Sequence, residues 1–507
     1  MTEARTGAAS PGAPQGKYHL VGIGGAGMSV VAELLAASGA EVSGSDSKES
    51  QTTRRLAAEG IAVSIGHDAR HVPADAVLVV SSAIRESNPE LAVARERSQK
   101  VLHRSQALAL AARGRDFVAV AGAHGKTTTS AMIAMALREV GLDPSWAIGG
   151  SVVGAGGGSH LGGGRAFVAE ADESDASFLN YEPLVEVVTN VEPDHLDHYG
   201  STEAFEEAFA EFSRLLKADG VLVACADSPG ALRMAVGAID RGQRVVTYGR
   251  GDGPRGAAAH VRVSPVRAQS GEARQEKAAS GEAEQGRLQP GEAEPDESPR
   301  EASRPLGASG TFDDGSGPVR VDLSVVGDHN LLNAAAAWAA GVELGVGREE
   351  MASALSHFLG TGRRFELRGE AGGVRVIDDY AHHPTEVEAT LRAARAVVGD
   401  GALRVLFQPH LYSRTANFAD RFAEALSLAD DVVVTSVYAA REDPTPGVEG
   451  DLVTSKMDPA RAQFVPDRFE AARALAARAR PGDLVMTVGA GDVTELGPTI
   501  LDQIGQR

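Results

Sequence analysis

FVAVAGAHGKTTTSAM, residues 117–132, passes from an apolar run into a stretch of helical spacing through two glycines, a lysine and three threonines. A strand followed by such a turn and a helix is a frame for holding phosphate. Gly122 and Gly125 carry no Cβ, so the backbone N–H groups between them can turn inward. Ala123 and His124 fill the turn. Lys126 is placed to reach terminal phosphate oxygens, Thr127 offers a hydroxyl to Mg²⁺, and Thr128 opens the helix whose positive end faces the anion. The common form of this loop, G-x-x-x-x-G-K-[ST], has its first glycine five residues before the second. Here Val120 stands there and the glycine comes at Gly122, a shortened variant.

The chain around this loop has 507 residues, room for about three domains at roughly 150 residues each. It is 43% hydrophobic and 23% charged, with a formal net charge of −20. Such a balance belongs to a globular chain and opposes sequence-independent binding to nucleic acid or an anionic membrane surface. Cys225 is the single cysteine, so no intrachain disulfide forms, and a reducing compartment fits. Its place in GVLVAC reads as buried filler. No run is long and apolar enough to span a bilayer. Residues 1–16 lack an apolar leader core and read as a disordered tail.

Apolar runs alternate with helical stretches in three sets. YHLVGIG, EVSGSD and ADAVLVVSSAI form the first, over 17–113. FVAVAG, RAFVAEAD, EVVTNV and GVLVAC belong to the second, over 114–360. VRVIDDY, LRVLFQP, DVVVTSV and DLVMTVGAGD form the third, over 361–507. Runs bounded by Gly, Asp and Pro and separated by helices predict three α/β units with mostly parallel sheets. One segment breaks the pattern. From 270 to 309 large apolar residues almost vanish, and SGEA, SGEA and PGEA recur at 270, 280 and 290. Too little apolar surface remains to offset ordering entropy, so a disordered insertion is expected there.

The first set opens with GIGGAGMS, 22–29. Gly22, Gly24 and Gly27 fit G-x-G-x-x-G between a strand and a helix, with Gly25, Ala26, Met28 and Ser29 completing the turn. Asp46 ends the next strand, nineteen residues past Gly27. This spacing specifies a diphosphate at a helix N-terminus and a ribose nearby. NAD and a UDP-sugar satisfy it equally. In the second set, Glu170 of EADESD ends a strand, where it can complete a Mg²⁺ site with Thr127. In NVEPDHLDHY, His195 can hold a second divalent ion with Asn190 or Asp194 orienting it. A solvated acidic loop, or a zinc site from His195 and His198, are the other readings. The Asn330 amide of GDHNLLNA can read an adenine edge or cap the helix. In the third set, Arg364 or Arg363 can stabilise a transferring phosphoryl group. Asp379 and His382 end a strand, where α/β sheets place ligands.

Taken in order and spacing, GIGGAGM, GAHGKTTT, EADESD, NVEPDHLDHY, DHNLLNA, RRFE and DDYAHHPTE resemble the Mur ligases over nearly all of 18–500. The resemblance implies an N-terminal Rossmann-like domain for a UDP-sugar, a central P-loop ATPase-like domain, and a C-terminal Rossmann-like domain for an amino acid. It implies that Gly22 to Ser29, Asp46 and Ser81 face the UDP-sugar. Gly122 to Thr128 and Asn330 would hold ATP, and Arg364 and Asp379 would close onto it. Thr127, Glu170 and His195 would bind Mg²⁺, and Tyr380, His382 and Arg414 would surround the amino acid. The implied reaction joins L-alanine to the lactyl carboxylate of UDP-N-acetylmuramate through an acyl phosphate, in a bacterial cytoplasm, with His195 or His382 taking the amine's proton. A sister reaction adds a tripeptide or another amino acid. An NAD-dependent oxidoreductase would leave the phosphate loop and EADESD unexplained. The chain departs from the family pattern at Leu411, where an arginine is frequent. It also has no lysine between Lys126 and Lys217 to support a second metal.

Overall fold

The computed structural model describes residues 14–266, 307–440 and 442–506. Most of the expected tail, and the expected insertion up to residue 306, lie outside the described residues. Ser309, the last residue assigned to the insertion, begins a strand.

The first sheet is all parallel, in the order β3 (Ala62–Ile65), β2 (Glu41–Asp46), β1 (Lys17–Val21), β4 (Val77–Val80), β5 (Val101–His103). The strand order reverses between β1 and β4. An open α/β sheet has its ligand crevice at such a point, beyond the carboxyl ends of the strands. The Gly22–Gly27 turn leaves β1 there and enters helix Ala26–Ala37.

The second sheet has ten strands among the described residues. β6 (Asp116–Ala121) lies inside it, flanked by β9 (Ala166–Glu170) and β10 (Val185–Val188). All three pair in parallel, and β6 is buried almost end to end. Burial on both faces explains why FVAVA reads as a continuous apolar run rather than an alternating one. Beyond β10 come β11 (Val221–Cys225), β12 (Arg244–Gly249) and β13 (Ala259–Pro265), also parallel. An antiparallel pair, β14 (Ser309–Asp313) and β15 (Val319–Asp322), closes that edge. The other edge is β7 (Ser145–Ala147) and β8 (Ser159–His160). Helix Lys126–Glu139 packs against the alanine-rich helix Asp328–Glu343 over the sheet. Small side chains allow that close approach. Trp338 and Phe312 fill the space beside it, fully buried with rings 6.1 Å apart.

The third sheet runs β16 (Glu366–Ala371), β17 (Val374–Asp379), β21 (Leu484–Val488), β18 (Leu403–Phe407), β19 (Asp431–Val434), β20 (Ala462–Phe464). Among the described residues, the β16–β17 pair is the antiparallel one in this sheet. Separate apolar clusters cover its two faces. The three-sheet α/β architecture expected from the alternating runs is therefore the observed one. Among the described residues no helix is long and apolar enough to cross a membrane.

Candidate functional site

The phosphate loop is built by close approach. Gly122 (φ +133°) follows β6, and a Cβ there would overlap Thr189 Oγ1 and crowd the backbone of Asn190. Gly125 (φ +84°) is the residue before helix Lys126–Glu139, whose first turn has no side-chain cap. Its N–H groups are thereby left for an anion. The Asn190 amide clamps the loop: its Oδ1 accepts from His124 N and its Nδ2 donates to His124 O, both at 2.9 Å. Asn190 therefore serves the loop and does not orient His195.

Lys126 Nζ donates to Gly122 O at 2.6 Å and to Glu173 Oε1 at 2.7 Å. Burial works against the Lys126 charge, but Glu173, Asp172 and Glu170 outweigh it and raise its pKa. Glu173 is driven the other way. Burial and the neighbouring Asp172 push its carboxyl up to about 7, against the pull of Lys126. Thr127 Oγ1 donates to Glu170 Oε2 at 3.2 Å, and Glu170 Oε1 accepts from Gly149 N at 2.8 Å. Burial raises the Glu170 carboxyl too. His195 Nε2 lies 3.9 Å from Glu173 Oε1 and 3.7 Å from Asp194 Oδ2. Glu173 Oε2 is buried without a hydrogen-bond partner. Crowded carboxylates beside a hydroxyl are the hard oxygen donors Mg²⁺ prefers, so the residues present fit that ion.

Two cavities flank the loop. One, of about 560 Å³, is lined by Gly22, Gly25, Ala26, Gly27, Met28, Asp46 and Ser81 from the first sheet, with Lys126 and Glu170 from the second. Gly24 and Ser29 are not on its wall. Gly24 N donates to Asp46 Oδ2 at 2.9 Å, and the Ser29 hydroxyl turns back to Ala26 O at 3.1 Å. The other cavity, about 860 Å³, lies between the second and third sheets. His124, Gly125, Thr128, Asn330, Arg364 and Asp379 line it. Gly327, not Asn330, caps helix Asp328–Glu343. The Asn330 amide donates to Val326 O at 2.7 Å and accepts from Asn333 at 3.1 Å.

The third sheet presents its own cluster. Asp379 ends β17, and its carboxylate accepts from Phe365 N at 2.8 Å and Ala381 N at 2.9 Å. Arg363 is held by Asp378 at 3.3 Å and by Gly489 O at 2.7 Å, and of the two neighbouring arginines it is Arg364 that lines the cavity. Arg363 and Arg364 both stand over the Tyr380 ring, at 4.8 and 5.2 Å. His382 Nδ1 lies 3.0 Å from Tyr380 O and 3.2 Å from Glu386. Arg414 Nη2 donates to both oxygens of Asp194, at 3.0 and 3.2 Å. Tyr380, His382, Arg414 and His195 line neither cavity; Asp194 joins Arg414 to the His195 turn.

Several residues at the site were not singled out in the sequence, although three of them lie inside the motifs that were. Arg104 lines the smaller cavity, touches Asp172 at 2.9 Å, and lies where a Cβ on Gly27 would meet it. It follows β5, so the carboxyl-edge rule alone pointed to it. Glu173 and Asn333 reach the loop, and Glu386 reaches His124 at 3.3 Å.

A Gly-Lys-Thr loop standing between two clefts, on three α/β sheets of one chain, is the arrangement of a nucleotide-using enzyme. Sequence profiles give the class a name. Residues 17–116 match the Mur ligase family catalytic domain, 120–284 the Mur ligase middle domain, and 363–491 the Mur ligase glutamate ligase domain. The chain belongs to the Mur ligase family. The UDP-N-acetylmuramate–L-alanine ligase of Kineococcus radiotolerans is 53% identical over 508 residues, covering 99% of each chain. The enzyme of the same name from Streptomyces avermitilis is 45% identical, over 98% of this chain and 100% of its own. The crystal structure of the UDP-N-acetylmuramate–alanine ligase of Thermotoga maritima superposes with a TM-score of 0.74 at 27% identity, covering 96% of this chain and 98% of that one.

Proposed function

We propose that the two cavities hold the two nucleotides of an ATP-dependent UDP-N-acetylmuramate–L-alanine ligase of peptidoglycan precursor synthesis. The observation that carries this reading is the loop's position. Lys126 opens onto the cavity walled by the Gly22–Gly27 turn, while Gly125 and Thr128 open onto the other. A phosphoryl group held on the loop is thereby presented to a carboxylate held by the first sheet.

The UDP diphosphate meets the N-terminal end of helix Ala26–Ala37 with Arg104 beside it. ATP fills the larger cavity, its adenine near Asn330 and its phosphates on Gly122–Thr128. Lys126 follows the charge that develops as the lactyl carboxylate takes the γ-phosphoryl group. Thr127, Glu170 and His195 would hold Mg²⁺, which neutralises phosphate charge when bound. The product is an acyl phosphate, and the neutral amine of L-alanine displaces its phosphate to form the amide. With Nδ1 of His382 turned to Tyr380 O and Glu386, its Nε2 is the acceptor for the amine's proton. Closure of the third sheet over the loop keeps water from the acyl phosphate. On this reading the enzyme works in the bacterial cytoplasm, as peptidoglycan precursor synthesis implies.

The test is phosphate release from ATP and Mg²⁺ with UDP-N-acetylmuramate, across single amino acids and the tripeptide, with Lys126→Ala as control. Release that needs both the UDP-sugar and L-alanine, and is lost in the control, is expected. Release only with the tripeptide would move the chain to the sister reaction.

A further inference from the structure

His383 sits at the start of helix Pro384–Val398 and is 1% exposed. It caps that helix only loosely, for neither ring nitrogen meets a hydrogen-bond partner of normal geometry. A buried imidazole with at most a loose backbone N–H for one nitrogen is costly unless something else takes a lone pair. The His124 ring lies 4.5 Å away, centroid to centroid. The Glu192 carboxylate approaches His124 Nε2 at 3.4 Å. One ligand atom from each of His124, Glu192 and His383 falls within 4.8 Å of the other two.

We propose that His124, Glu192 and His383 form a binding site for a divalent transition-metal ion of the zinc class, distinct from the Mg²⁺ position at Thr127 and Glu170. Two imidazoles and one carboxylate are a known donor set for zinc, leaving a fourth position open. Imidazole nitrogen favours such an ion over Mg²⁺. The surroundings are those of a metal-bound histidine. His124 Nδ1 lies 3.3 Å from Glu386 Oε1, so a carboxylate can orient the ring and fix Nε2 as the donor to metal. Glu192 is itself held by the Thr385 hydroxyl at 2.9 Å and by Arg421 at 3.1 Å.

The three ligands come from three places. His124 is in the phosphate loop, Glu192 follows β10 on the same sheet, and His383 belongs to the third sheet. An ion here ties the loop to the C-terminal unit at the edge of the larger cavity, which His124 and Glu192 line. Occupancy therefore holds the two units in the closed arrangement. This inference does not depend on which carboxylate or amine the enzyme joins.

The experiment uses the full chain, stripped with chelator, returned to saturating Mg²⁺ so that oxygen sites are filled, and titrated with CoCl₂. One equivalent is expected to give the strong visible absorption of four-coordinate cobalt, and ZnCl₂ should abolish it. His124→Gln, Glu192→Gln and His383→Asn should each weaken cobalt binding at least tenfold. X-ray absorption on the zinc-loaded unsubstituted chain reads the ligands directly, whether or not a substituted chain folds. Two imidazoles in the zinc shell are expected. An all-oxygen shell, no absorption at one equivalent, or absorption that survives all three substitutions overturns the proposal.

Discussion

Lys126 and Glu173 form the pair on which the reaction centre turns. Glu173 is 1% exposed, and Lys126 is its close cationic partner at 2.7 Å. Removing one member of a buried pair costs about 3–5 kcal/mol when the other stays charged; Glu173, already pushed up to about 7, can take up a proton instead, so the loss should fall below that range. Lys126→Met should therefore lower stability in urea unfolding as well as abolish phosphate release. Adding Glu173→Gln should restore most of the stability and none of the activity. If the double substitution is no more stable than the single one, the two groups are not coupled. Glu90 makes a second residue-scale case. It is fully buried, and burial alone would raise its carboxyl. His19, the Ser45 hydroxyl at 2.5 Å and the Asp68 N–H at 3.1 Å outweigh that and hold it down at about 2. The folded value is below the ordinary 4.5, so the unfolded chain takes up the proton first. The stabilisation, up to about 3 kcal/mol, is complete above that ordinary value and is lost as pH falls through the folded one. Urea midpoints of the unsubstituted chain and Glu90→Gln should differ most at neutral pH and converge on acidification. A gap that does not change with pH would show that packing, not charge, is the cause.

At the scale of elements, β6, its loop and helix Lys126–Glu139 act as one unit. Gly122→Ala places a methyl against Thr189 Oγ1 at a φ of +133°, where the backbone cannot yield without releasing the Asn190 clamp. A loss of about 1–3 kcal/mol is expected, together with loss of ATP binding in calorimetric titration. Gly141→Ala, just past the helix's other end at φ +80° with open space around it, should cost about 1 kcal/mol and keep ATP binding. Equal effects from the two would mean that the loop is not the constrained part. This unit was legible in the sequence because its physics is local: a buried strand, two glycines and an uncapped helix start all follow from neighbours in the chain. The Gly22–Gly27 turn and Asp46 were legible for the same reason. EADESD was not resolved so well. Spacing marks a strand end rich in carboxylates, but which carboxylate turns toward Lys126 depends on the path of the chain after β9. Glu170 was read as the partner of Thr127 and meets it at 3.2 Å, while Glu173, which was not singled out, makes the Lys126 contact. Asn330 shows the converse. Its position before an alanine-rich run suited a cap, yet Gly327 ends the turn and the amide is drawn to Val326 and Asn333.

The largest gap between sequence and structure lies at the scale of the whole molecule, where contacts join units that no periodicity connects. Arg104 with Asp172, His124 with Glu386, and Thr385 with Glu192 are all of this kind. Arg414 is the instructive member. The family resemblance assigns it to the amino acid, while the structure pairs its buried guanidinium with Asp194, across from the third sheet to the turn that carries His195. The Arg414 and Asp194 charges hold each other, and the pair keeps the Asp194 carboxyl well below its usual range despite burial. If this contact holds the C-terminal unit closed, Arg414→Ala and Asp194→Asn should have the same effect. Each should enlarge the radius of gyration measured by small-angle scattering with ATP present, and each should cut kcat by about 10²-fold through misplacement of the reacting groups. If Arg414 instead grips only the amino-acid carboxylate, Arg414→Ala should raise the KM for L-alanine with no change in radius, and Asp194→Asn should leave that KM alone. The split between KM and kcat, read beside the scattering curve, therefore decides whether Arg414 serves closure or recognition.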